Sequence, residues 1–122
     1  MDEKTVHQAR QRAHAMLNQA SIVITDRELA EMEIADFGLD ELEQTGLEIV
    51  VYINTPRVCA KELVLFPRQT CPQHRLMPDT WHWFQTGDKG AVVSEFSTTS
   101  RDETDLFADP AISRTCCRKD KR

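Results

Sequence analysis

The sequence predicts a mostly β protein in which antiparallel strands follow two N-terminal helices within one domain. Three observations predict it. An apolar repeat at three- and four-residue steps is confined to the first twenty residues, β-branched runs begin at Leu47, and turn residues punctuate those runs at short intervals. A chain of 122 residues, 40% hydrophobic and 29% charged, has the balance of a globular domain and the length for one modest core.

The first helix is read from Val6, Ala9, Ala13, Met16, Leu17 and Ala20, which fall on one stripe. Asp2 and Glu3 sit at its start, where the helix dipole favours negative charge. Thr25-Asp26-Arg27-Glu28 has the capping-box pattern of a second, short helix running to about Glu33, and Asp36-Phe37-Gly38 ends it. Residues 47–53 and 58–66 are strands joined through the turn residues Asn54-Thr55-Pro56-Arg57, a hairpin that Pro67 terminates. Residues 81–85 form a short aromatic strand, Gly87-Asp88-Lys89-Gly90 a turn, and residues 91–96 another strand. Asp109-Pro110 closes the ordered part.

Composition excludes several function classes. A net charge of −5 argues against a nucleic-acid partner, because binding phosphates needs a basic surface. The basic cluster from Arg118 to Arg122 reads as a solvated tail. No stretch approaches the roughly 20 apolar residues of a membrane span, and the polar start of the chain has no signal-peptide core. The expectation is a cytoplasmic protein without membrane contact. Cys59, Cys71, Cys116 and Cys117 lack CxxC zinc spacing and read as buried or tail thiols.

Few residues carry chemistry on their own. His7 and His14 lie two turns apart on the first helix, whereas metal-binding helices place histidines one turn apart. His74 and His82 stand in the β region, where imidazoles are common ligands for divalent metals. His82, between Trp81 and Trp83, fits equally a packed or hydrogen-bonded side chain. Lys61 shares its strand face with Cys59, Leu63 and Leu65, an unusual place for lysine. A snorkelling edge-strand lysine is the alternative. Glu95 alternates with Val93 and Ser97, and is either a pocket carboxylate or a solvent-facing one.

Longer blocks add a resemblance. Val51-Tyr52-Ile53-Asn54-Thr55-Pro56-Arg57-Val58-Cys59-Ala60-Lys61-Glu62-Leu63-Val64-Leu65-Phe66-Pro67 and Gln69-Thr70-Cys71-Pro72-Gln73-His74-Arg75 resemble the central signature of the D-lyxose isomerases of the cupin superfamily. The likeness resumes at Pro78-Asp79-Thr80-Trp81-His82-Trp83-Phe84-Gln85 and continues from Gly90 to Glu103 and through Asp109-Pro110. It implies an incomplete cupin, a jelly-roll-like antiparallel β-barrel. Its parts would be a helical segment at 1–35, a β domain at 36–113 and a charged tail at 114–122. By the same resemblance the protein is a sugar isomerase that interconverts D-lyxose and D-xylulose through an enediol. It would use a divalent cation, usually manganese.

The implied metal ligands are His74 and His82. The family's His-x-His pair has Leu76 in its second position here, and its following glutamate has no counterpart, because several dozen residues are absent before Pro78. Arg68 stands where cupins usually turn on glycine. Lys61 and Glu95 are the implied catalytic and substrate-binding residues. A tight turn at Met77-Pro78-Asp79-Thr80 would bring His74 and His82 together across two strands. A different class stays open beside the enzyme: a catalytically inactive, truncated cupin fragment acting as a binding or interaction module. Missing strands would leave sheet edges that a homodimer could cover.

Overall fold

The computed structural model describes residues 1–76, 80–97, 106–107 and 109–112, and of residues 74–76, 80 and 106–107 the backbone only. Helices α1 (Glu3–Gln19) and α2 (Asp26–Glu31) precede β1 (Glu33–Ala35), β2 (Leu47–Asn54), β3 (Cys59–Leu65), β4 (Thr70–Leu76), β5 (Thr80–Gln85), β6 (Ala91–Ser97) and β7 (Leu106–Phe107). The strands make two antiparallel sheets, one ordered β1-β2-β3-β6 and the other β5-β4-β7. Among the described residues neither sheet closes on itself, and the architecture is that of an incomplete cupin-like barrel.

Asp2 caps α1, its carboxylate accepting from the Thr5 N–H at 2.8 Å. The buried face of α1 is Val6, Ala9, Ala13 and Leu17. It packs with Ile34, Val50, Val64 and Phe66 on what is here called the outer face of the four-stranded sheet. Ala20, expected on the stripe, is instead the exposed C-cap. The capping box of α2 forms as predicted, with Glu28 N–H donating to Thr25 Oγ1 at 3.0 Å and Thr25 N–H to Glu28 Oε1 at 2.9 Å.

The expectation fails just beyond it. The second helix stops at Glu31, and residues 33–35 form β1, paired as Glu33↔Ile49, Ile34↔Glu48 and Ala35↔Leu47. All three residues are buried, so no alternation marks them as a strand; pairing with β2 decides their state.

The β2–β3 hairpin forms, with a bulge between Val51 and Ile53. Alternation along β3 divides the core in two. Val64, followed by Phe66, faces the helices, while Leu63 and Leu65 join Ala35, Phe37, Leu47, Ile49 and Cys71 on the inner face. Phe84 of the second sheet packs against that inner cluster, so the two sheets meet there. Residues 70–76, without a β pattern of their own, become β4 through pairing with β5.

Arg68 takes φ 63°, a left-handed conformation that fits glycine better, in the turn from β3 to β4. Gly90 has φ +73°, and a Cβ there would strike the Leu65 carbonyl oxygen. Cys59 and Cys71 are buried and in no disulfide. Among the described residues no helix is long and apolar enough to cross a membrane. The charged tail with Cys116 and Cys117, and the turn residues Met77, Pro78 and Asp79, lie outside the described residues.

Candidate functional site

β3 is flanked by β2 and β6, so Lys61 is not an edge-strand lysine. It is 6% exposed on the inner face, with Val51 and Glu95 as its direct cross-strand partners. Lys61 Nζ stands 3.5 Å from Glu95 Oε1. The lysine side chain is 7% exposed and the glutamate 40%. The ammonium is therefore walled in by strand and neighbour, while the carboxylate opens towards solvent. A buried cation beside an accessible carboxylate can bind a polar ligand and exchange a proton with it.

The second sheet supplies nitrogen donors. His74 and His82 are direct partners in the β4–β5 ladder, and directly opposite positions share one face of a sheet. Phe84, two residues from His82, packs on the inner cluster of Leu63 and Leu65. By strand alternation His82, which is half-buried, belongs to the same inner face. Lys61, Glu95 and His82 thus belong to the facing surfaces of two sheets, with the His74 register position beside His82. Leu76 lies opposite Thr80, farther along the same ladder. His7 and His14 are elsewhere, on α1.

The donor set suits a divalent cation in type: two imidazoles at paired positions, and a carboxylate on the opposing sheet. Among the described residues no three His, Cys, Asp or Glu side chains already gather around a common point.

Two polar clusters escaped the sequence reading, both on outer-face positions of the four-stranded sheet. Ser94 Oγ donates to the Glu62 carboxylate, 2.8 Å from each oxygen. Tyr52 is pushed up to about 12 by burial first, then by the charge of Glu62 and a hydrogen bond to it. Nearer α1, Glu48 is fully buried and Gln69 Nε2 donates to its Oε2 at 3.0 Å. A glutamate inside the β-branched run of residues 47–53 was the available signal for the second cluster.

Comparison with known proteins bears on this arrangement. The chain is 35% identical over 174 residues to the D-lyxose/D-mannose isomerase of Thermosediminibacter oceani, covering 93% of this chain and 96% of that protein. It is 36% identical to the D-lyxose ketol-isomerase of a Thermofilum species, over 93% of this chain and 97% of the relative. The D-lyxose ketol-isomerase of Cohnella laeviribosi is 36% identical over 88% and 92%. An aligned span of 174 positions exceeds the 122 residues present, so the alignment crosses positions of the relatives with no counterpart here. No family profile matches the chain.

Proposed function

Because the chain belongs to the D-lyxose isomerase family, we propose that it is an aldose–ketose isomerase interconverting D-lyxose and D-xylulose. The observation that carries the reading is the Lys61–Glu95 pair on the inner face, directly in register and 3.5 Å apart. Isomerisation moves one hydrogen from C2 to C1 of the sugar. The Glu95 carboxylate takes the C2 proton, and the electron pair forms the C1–C2 double bond as the C1 oxygen gains a proton from water. The C2 hydroxyl then gives its proton back to the resulting hydroxide as it becomes the carbonyl, and protonated Glu95 returns its proton to C1. The Lys61 ammonium donates a hydrogen bond to the sugar oxygen that gains charge on the way. Its burial fixes that donor in place before the substrate arrives.

His74 and His82 would hold a divalent cation, manganese by family habit, with Glu95 within the same inter-sheet space. Such a cation supplies Lewis acidity towards the two sugar oxygens when bound.

The test is a ketose assay with D-lyxose on metal-supplemented protein, with elemental analysis of the same sample. Turnover and near-stoichiometric metal are expected. Glu95→Gln and Lys61→Met should each lower kcat by about 10²–10⁴-fold while the fold is kept, and His82→Ala should reduce bound metal.

A second reading has its own observation. The sheets are open among the described residues, and the relatives carry positions that this chain lacks. A catalytically silent cupin-like module, binding a sugar or a second copy of itself through the open sheet, follows if the metal-supplemented protein shows no turnover.

A further inference from the structure

Glu48 lies at 0% exposure on the outer face of β2, against the fully buried Ile34 of β1 and Val64 of β3 in register. Its Oε2 accepts from Gln69 Nε2, and its Oε1 has no hydrogen-bond partner. Gln69 can offer nothing more. Its Oε1 accepts the Phe66 N–H at 2.9 Å, and its Nε2 gives its other hydrogen to the Leu42 carbonyl at 2.7 Å. One amide therefore ties together β2, the turn after β3 and the loop at 36–46. Gly46 completes the close fit, since a Cβ there would lie 2.7 Å from Gln69 Nε2.

The charged groups facing Glu48 are few. Arg12 comes from α1, stacks over the Phe66 ring at 4.0 Å and pairs with Glu43 of the loop at 2.6 Å. Glu43 is the second. In α2, Glu28 serves its own cap and Glu31 pairs with Arg27. An ionised Glu48 would thus keep a negative oxygen without a donor in an apolar seat, which is costly.

We propose that Glu48 is a proton-held latch: its neutral carboxyl lets α1 and the 36–46 loop seat on β2, and loss of that proton opens the seat. This inference stands apart from the isomerase reading. Burial pushes the Glu48 carboxyl well above its ordinary value, outweighing the hydrogen bond from Gln69 and the attraction of Arg12, while Glu43 adds to the rise. Opening the seat returns the carboxyl to the ordinary value of 4.5. Below that value both states hold the proton and the latch is at full strength. As pH rises above it, the open form loses its proton first, so the closed form weakens until the raised folded value is passed.

Hydrogen exchange of the α1 backbone amides, corrected for intrinsic rates, measures this from roughly pH 5 to roughly pH 9. The opening constant should rise by up to about tenfold per pH unit in the native protein. In Glu48→Gln, whose amide is isosteric with the protonated acid, it should stay flat. Equal pH slopes in the two proteins, or a flat slope in the native one, would overturn the proposal. Should that variant fail to fold, infrared spectra of the native protein decide. A protonated-carboxyl band persisting at neutral pH is expected, and its absence refutes the latch.

Discussion

The two ends of the four-stranded sheet are built differently. At one end Leu47 to Val50 of β2 are buried, and α1 covers Val50, Val64 and Phe66 while the second sheet covers Leu63 and Leu65. At the other end Val51, Tyr52 and Ile53 of the same strand are 38–44% exposed, and Phe96 of β6 is 75% exposed. The change happens within one strand, between Val50 and Val51. Apolar residues run continuously from Ile49 to Ile53 across that point, so composition is not the cause. What differs is whether a second layer lies over them. Lys61 and Glu95 sit at the boundary, the lysine buried with the closed end and the glutamate facing the open one.

The sharpest way to break this comparison is a pair of truncations. Leu17→Ala, at 0% exposure, should cost about 2–5 kcal/mol in urea-induced unfolding. Phe96→Ser should change stability by no more than about 0.5 kcal/mol, as for an exposed site. A Phe96→Ser cost matching Leu17→Ala would mean that the open end is covered in solution.

A smaller gain tests the closed end. Arg68→Gly relieves a left-handed backbone strain of about 1–2 kcal/mol and loses part of that to glycine's greater unfolded freedom. The net should be a stabilisation of about 0.5–1 kcal/mol, visible as a higher urea midpoint. The Arg68–Asp88 ion pair given up is 3.8 Å long between exposed side chains and contributes little.

The smallest effect reads the open end directly. Tyr52 is the single tyrosine in the chain, so the phenolate absorbance near alkaline pH reports it alone. Its midpoint should lie at about 12 and move down towards 10 in Glu62→Gln, which removes the neighbouring charge. An unchanged midpoint would show that Glu62 does not reach the phenol.

These ends also explain what the sequence made legible. The helical stripe, the capping box and the β2–β3 hairpin were visible because each rests on spacing within one segment. Lys61 was visible for the same reason, an odd residue on an apolar face, and its central strand removes the edge-lysine alternative. β1 and β4 were not visible, because their residues become strands only by pairing with distant partners. The Lys61–Glu95 contact is likewise a matter of β3–β6 register, which no local pattern encodes.

The irregularity in β4 has a consequence for how such chains tolerate insertions. Cys71 opposes Phe84 and His74 opposes His82, so three steps on β4 match two on β5. Were the same residues paired in a regular ladder without the bulge, Gln73 would take the place opposite His82, and the two histidines would fall on opposite sides of the ladder. A single-codon deletion at Pro72 or Gln73 would therefore leave His74 opposite His82 in a regular ladder, whereas one extra residue inserted beside the retained bulge would move His74 opposite Trp81, on the other face.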